Sequence, residues 1–173
     1  TDEGESVINP ADESVLGWLP HASEELLDEA VESAKIGFKL WKNTKPEIRG
    51  EILIKSSELL NQEKEKIAKI MTMEQGKPLV ESIGEVERSV DSLHYNGQKA
   101  KKLNDYKIEN PLWSPLRDAG LKTYIKHEPV GVTLGLTAWN FPIILAARKV
   151  APALASGCSM IIKPAPETPF TAL

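Results

Sequence analysis

Val130-Gly131-Val132-Thr133-Leu134-Gly135-Leu136-Thr137 is a nearly continuous apolar run, the pattern of a strand buried on both faces of a parallel sheet. The stretch from Ile143 to Ala155 then fits a helix, Gly157 supplies its stop, and Ser159-Met160-Ile161-Ile162 reads as a second buried strand. Strand, helix, strand is one βαβ crossover unit. The predicted fold class is therefore α/β, with residues 129–173 opening a doubly wound parallel sheet. Thr168-Pro169-Phe170-Thr171-Ala172-Leu173 reads as the first turn of a further helix with proline early in it. Two parallel strands do not make a stable sheet of this kind alone, so the unit is expected to be truncated.

Upstream, 121–128 alternates like a strand, with Leu121, Thr123 and Ile125 on one face and Lys122, Tyr124 and Lys126 on the other. Pro129 breaks it. The stretch from Asn104 to Gly120, with Pro111, Pro115, Tyr106 and Trp113, reads as irregular. Four helices precede it. In the last, Leu79, Ile83, Val86, Val90 and Leu93 recur at helical spacing, with Glu81, Glu85, Glu87 and Arg88 off that face. A shorter helix around 65–74 ends in Gln75-Gly76-Lys77-Pro78, a glycine stop followed by proline. Thr44-Lys45-Pro46-Glu47 has the form of a capping box opening a helix through Ile52, Leu53, Leu59 and Leu60. Ser23 is placed to cap the first helix, whose stripe is Leu27, Val31, Ala34, Phe38 and Trp41. These stripes read as core rather than as cofactor boxes. Val7 to Pro20 reads as strand, turn, strand, with Asn9-Pro10 and Asp12-Glu13-Ser14 supplying the turn chemistry.

The 173 residues are 41% hydrophobic and 27% charged, ordinary values for a globular domain with a real core. A net charge of −4 argues against a polyanion-binding surface. Lys99, Lys101 and Lys102 cluster, but they read as a helix surface, and no nucleic-acid partner is expected. The acidic start Thr1-Asp2-Glu3-Gly4-Glu5 resembles no signal or transit peptide, and no apolar run approaches the ~20 residues of a membrane span. The lone cysteine, Cys158, forms no intramolecular disulfide and fits a reducing compartment. Cytoplasm, or the matrix of an organelle such as the mitochondrion, is expected. His21, His94 and His127 form no metal-like cluster, and no metal is assigned.

Two segments fall where open α/β sheets bind ligands, at the C-terminal ends of the strands. Thr137-Ala138-Trp139-Asn140-Phe141-Pro142 follows the first strand. Asn140 there either donates its amide to a developing oxyanion or caps the helix. Lys163-Pro164-Ala165-Pro166-Glu167 follows the second strand. Lys163 there either reaches a dinucleotide's ribose or phosphate, or is a solvated loop lysine. No G-x-G-x-x-G follows the first strand, so spacing alone does not establish dinucleotide binding.

Glu74-Gln75-Gly76-Lys77-Pro78-Leu79, Glu128-Pro129-Val130-Gly131-Val132, Ala138-Trp139-Asn140-Phe141-Pro142, Pro152-Ala153-Leu154-Ala155-Ser156-Gly157-Cys158 and Lys163-Pro164-Ala165 occur in that order. In order and spacing the set resembles the N-terminal portion of the NAD(P)-dependent aldehyde dehydrogenases, from about Val7 to Leu173. The resemblance implies an enzyme whose cysteine attacks an aldehyde, forms a thiohemiacetal, passes hydride to NAD or NADP and releases a carboxylic acid. It implies that Asn140 stabilises the oxyanion and that Thr137, Ala138 and Trp139 line the cofactor cleft. It implies that Lys163, with Pro164, Ala165 and Pro166, contacts the adenosine ribose. It also implies residues 1–120 as the hairpin and helical part of the cofactor domain, 121–128 as an oligomerisation arm, and 129–173 as the start of the Rossmann-like sheet. A homo-oligomer and a small-molecule aldehyde substrate follow.

Two departures qualify it. The family's ribose-binding glutamate usually stands three places after the lysine, where this chain has Pro166, with Glu167 one place late. Loss of that carboxylate removes a repulsion against a 2′-phosphate, so NADP should be tolerated. The family's catalytic cysteine, general-base glutamate and pyrophosphate-binding glycines have no match here, and Cys158 matches a packing position. The chain alone is expected to be inactive, its catalytic domain absent. Arg148 resembles the carboxylate-binding arginine of succinate-semialdehyde dehydrogenases, although lactaldehyde-type relatives share it and a structural salt bridge is the alternative role. The rival function is a non-catalytic nucleotide-binding or interaction module derived from the same family.

Overall fold

A computed structural model describes residues 4–103, 106–108 and 123–173. β1 (Glu5–Ile8) and β2 (Val15–Leu19) form an antiparallel hairpin with an irregularity between Val7 and Ile8. Its turn is built as the sequence suggests. Asn9 Oδ1 accepts from the Ala11 N–H at 3.0 Å and Asp12 Oδ1 accepts from Ser14 N–H and Oγ at 3.0 and 2.6 Å.

Four helices follow: α1 (Glu24–Trp41), α2 (Pro46–Gln62), α3 (Lys64–Gln75) and α4 (Leu79–Ala100). Ser23 caps α1, its hydroxyl accepting from Leu26 N–H at 3.3 Å. Gly76 ends α3 at φ 83°, a left-handed turn that glycine adopts without strain. The capping box expected at Thr44 does not form. Lys45 is the N-cap of α2 without a side-chain bond, because Thr44 is committed to the end of α1. Its hydroxyl donates to the Leu40 carbonyl at 3.2 Å and its N–H to that of Trp41 at 3.0 Å.

The α1 stripe is only partly core: Leu27 and Val31 are exposed, and no α1 residue is fully buried. The α4 stripe packs from Ile83 onward, while Leu79 at its start is exposed. Nor does Glu85 lie outside the packed surface. It is wholly buried, for a reason that emerges at the site.

β3 (Tyr106–Ile108) pairs antiparallel with β4 (Thr123–Ile125). A strand thus stands inside a stretch that reads as irregular, since three residues are too few for alternation to register and long-range pairing creates it. Pro111, Trp113, Pro115, Leu121 and Lys122 lie outside the described residues. β5 (Val132–Leu136), α5 (Pro142–Ser156) and β6 (Ser159–Lys163) form the expected crossover, with β5 and β6 parallel from Val132↔Ser159 to Leu136↔Lys163. Gly157 closes α5 at φ 92°. The 168–173 segment turns rather than forming a helix, although Leu173 N–H reaches Pro169 O at 3.2 Å, a first helical step.

β5 is not buried on both faces. Val132, Leu134 and Leu136 are 37, 63 and 60% exposed, because nothing among the described residues packs on that side. The other side faces α1 and α5, and Ser159 Oγ donates to Ala34 O at 2.8 Å.

The core joins the helical layer to α5. Ala68, Met71 and Val86 pack with Ile143, and Leu53 and Ala100 with Ala155. α2 and α4 meet in close contact at two glycines, Gly50 and Gly97. A Cβ on Gly97 would stand 2.8 Å from both Gly50 O and Ile54 Cγ1, whereas one on Gly37 would meet nothing within 4 Å. Gly97→Ala is therefore expected to lower the unfolding free energy by about 1–3 kcal/mol. Gly37→Ala, inside α1, is expected to raise it by ~0.5–1 kcal/mol. Denaturant midpoints check the pair, and equal shifts would contradict the close helix crossing.

Candidate functional site

α5 presents the ends of a helix to the protein interior, where unsatisfied backbone groups are costly. Its first residue, Pro142, has no N–H to satisfy. The next two amides, of Ile143 and Ile144, both donate to Glu85 Oε1, at 3.1 and 3.2 Å. A buried carboxylate thus completes the positive end of the helix dipole. Its other oxygen accepts from Lys77 Nζ at 2.5 Å, and the Lys77 side chain is 9% exposed. The ammonium also donates to the main-chain carbonyl of Asn140 at 3.0 Å and lies 4.5 Å from the centre of the Phe141 ring.

The opposite end of α5 is closed by one indole and one guanidinium. Trp41 Nε1 donates to Leu154 O at 2.8 Å, and Arg49 Nε to Ala155 O at 3.3 Å. Arg49 Nη1 also donates to Thr44 O at 2.6 Å. Burial holds the Arg49 guanidinium below its ordinary pKa, with Glu47 and Cys158 opposing that shift. Glu74, also buried, repeats the device for the 168–173 turn, accepting from the Phe170 and Thr171 N–H groups at 2.8 Å each.

These supports carry an exposed edge. The Thr137 N–H donates to Lys163 O at 3.2 Å, tying the exits of β5 and β6 together. Ala138, Trp139, Asn140 and Lys163 are exposed there, and Thr137, Pro164 and Pro166 half-buried. Ala165 is buried. The expected site residues at the two strand exits are thus at one edge. Asn140 is not the helix cap: Phe141 occupies that position, without a side-chain bond. Among the described residues no hydrogen bond engages the side-chain amide of Asn140, the ammonium of Lys163, or the guanidinium of Arg148, which is exposed on α5.

A cleft of about 440 Å³ runs between β1, the end of α3 and the loop after β6, lined in part by Val7, Glu74, Trp139, Pro166 and Glu167. The edge suits one side of a dinucleotide: an unengaged ammonium for hydroxyl or phosphate oxygens, an exposed indole, and a shielded Thr137 hydroxyl with no partner among the described residues. Among those residues no three His, Cys, Asp or Glu gather as a metal would require, and no helix is long and apolar enough to cross a membrane. Cys158 is buried beside Ser156 Oγ, at 3.5 Å.

Residues 1–173 match the aldehyde dehydrogenase family throughout. The chain belongs to that family. Similar proteins include a succinate semialdehyde dehydrogenase of Acinetobacter baylyi, 37% identical over 96% of this chain and 33% of its own length. A 3-sulfolactaldehyde dehydrogenase of Pseudomonas putida is 37% identical over 99% of this chain and 35% of its own. The crystal structure of an aldehyde dehydrogenase from Brucella melitensis biovar abortus 2308 superposes with a TM-score of 0.89 at 39% identity, covering 96% of this chain and 33% of that one. Both cofactors occur among such proteins. An Escherichia coli succinate-semialdehyde dehydrogenase named for NADP(+) is 33% identical over 99% of this chain and 34% of its own. A Staphylococcus aureus betaine aldehyde dehydrogenase crystallised with NAD+ has a TM-score of 0.88 at 30% identity, covering 98% and 33%. This aldehyde dehydrogenase chain spans about a third of the length of the relatives it matches.

Sequence reading missed Glu74, Lys77 and Glu85 as the supports of this edge, although Glu74 and Lys77 stood inside a quoted motif. No local signal marks a carboxylate whose partners are amides 58 and 59 residues away.

Burial raises the Glu74 carboxyl above its ordinary value of 4.5, while hydrogen bonds from Thr171 and Phe170 pull it down. With the folded pKa above the unfolded one, the folded state keeps a proton that the unfolded chain has released. The stability that this proton contributes is full below pH 4.5 and is lost as pH rises through the folded pKa. Glu74→Gln removes this titration. Its unfolding free energy should fall less steeply than the parent's as pH rises above 4.5. Parallel pH profiles would contradict a burial-raised carboxyl.

Proposed function

We propose that this chain is the N-terminal part of an NAD(P)-dependent aldehyde dehydrogenase, carrying one catalytic residue and one side of the cofactor site. The observation that supports this most directly is Asn140. It stands at the exit of β5 with its carbonyl held by Lys77 and its side-chain amide without a hydrogen bond among the described residues. An amide so placed donates to the oxygen of an aldehyde as a nucleophile adds and negative charge develops there. Such preorganised donors act on the transition state rather than on the bound substrate.

Lys163, Trp139 and the loop through Pro164, Ala165 and Pro166 are assigned to the cofactor. Bound there, NAD(P) would accept the hydride leaving the aldehyde carbon. Lys163 would donate to ribose hydroxyls or to a 2′-phosphate. Pro166 offers no carboxylate to that phosphate and the carboxylate of Glu167, in the same cleft, stands one place later, so NADP is assigned beside NAD. The nucleophilic cysteine is assigned to a part of the enzyme outside these residues. Residues 121–128 are proposed as an oligomerisation arm of a homo-oligomer, and the compartment as cytoplasm or organelle matrix.

Arg148 is assigned to a carboxylate on the substrate, as succinate semialdehyde carries. Its guanidinium is exposed on α5 eight residues beyond Asn140, and no ion pair among the described residues occupies it.

In the full-length enzyme containing this chain, Asn140→Ala is expected to lower kcat by about two orders of magnitude while cofactor affinity changes little. Steady-state kinetics with cofactor titration decide it, and a kcat within about twofold of the parent would remove the oxyanion role. Charge-assisted hydrogen bonds contribute roughly 1.5–3 kcal/mol, so Arg148→Ala should cost on the order of tenfold to a hundredfold in kcat/KM for succinate semialdehyde. Butanal, which lacks the carboxylate, should lose little. Equal losses on both aldehydes would assign Arg148 a structural role and leave the family reaction standing.

A further inference from the structure

We propose that Lys77 and Glu85 are positioning residues for the reaction, setting the place of the Asn140 amide through its backbone. This rests on the oxyanion role assigned to Asn140 above. The amide has no hydrogen bond of its own among the described residues, so its location is inherited from the main chain on either side of it. On the near side, Lys77 Nζ holds the Asn140 carbonyl at 3.0 Å. Just beyond, the same ammonium lies 4.5 Å from the Phe141 ring centre. Two residues further, Glu85 Oε1 grips the Ile143 and Ile144 N–H groups. The two clamps are one object, because Lys77 Nζ and Glu85 Oε2 are themselves paired.

The pair is built for rigidity. Glu85 is wholly buried and the Lys77 side chain nearly so, so water competes weakly for either partner. Lys77 lies just past the left-handed turn at Gly76, and Glu85 two turns into α4. The site is thereby referred to the helical layer rather than to the loop that carries it. Oxyanion donors lose their advantage when displaced by a fraction of an ångström, and removing the ammonium frees the Asn140 carbonyl to rotate.

A double-mutant cycle in the full-length enzyme tests this, with kcat, aldehyde KM, cofactor Kd and thermal unfolding measured for each variant. Lys77→Met is expected to lower kcat on the order of tenfold, leaving cofactor Kd within about twofold. In an Asn140→Ala background the same change should lower kcat by less than about twofold, because there is no amide left to position. Lys77→Gln, which keeps a polar group beside Glu85, runs the same cycle if the methionine variant does not fold. Equal kcat losses in both backgrounds would overturn the proposal, as would a Lys77 variant within about twofold of the parent. Asn140→Ala alone reports the oxyanion role. If it loses nothing, that role and this inference fall together; if it loses a hundredfold while Lys77 is additive, only this inference falls.

Discussion

Glu85 has no contact with solvent, and its carboxylate closes the N-terminal end of α5 by accepting two backbone amides. A buried carboxylate is tolerated only where charge and hydrogen bonds replace its hydration. Lys77 supplies the charge and α5 supplies the dipole. The remainder of the structure follows from satisfying this helix. α5 lies between the helical layer and the β5–β6 sheet, so neither of its ends can rely on water. Its carboxyl end therefore takes Trp41 from α1 and Arg49 from α2, and its apolar side takes Ile143 and Ala155 into the core.

The arrangement divides the labour between layers. The helical layer, with the α3–α4 turn that carries Lys77, contributes the buried charges and donors, while the β5 and β6 exits contribute exposed groups that take no partner among the described residues. Chemistry at such an edge requires the second kind, since an amide or ammonium already engaged in the fold is poorly placed to engage a ligand. Rigidity requires the first. The same sharing recurs at Glu74, which supports the turn after β6 as Glu85 supports α5. The open face of β5, with Leu134 and Leu136 largely exposed, sits beside the fact that the chain covers about a third of its relatives' length.

Much of this was legible beforehand where the signal is local. The hairpin turn at Asn9 to Ser14, the Ser23 cap and the glycine stops at Gly76 and Gly157 rest on contacts between near neighbours in sequence, and the β5–α5–β6 order on apolar patterns each written in a short stretch. The Thr44 capping box failed because two helices compete for one threonine and only geometry decides which takes it. β3 escaped notice because a three-residue strand owes its existence to a partner beginning fifteen residues after its last residue. The β5 run was correctly a strand, but hydrophobicity states what a residue would bury, not what is present to bury it.

By itself, then, the sequence determined the α/β class, the element order, the position of Asn140 and Lys163 at strand exits, and the family. These follow from periodicity, turn chemistry and motif order, each written in contiguous residues. Tertiary structure alone decided that Glu85 is core and not surface, that Lys77 holds the Asn140 backbone, and that Arg49 closes α5. On an isolated helix a glutamate off the apolar stripe is a solvated residue. It becomes the most buried acid of the described residues here because another helix brings two unpaired amides and a dipole to the one place its carboxylate reaches, and that meeting is set by three-dimensional packing rather than by any spacing along the chain.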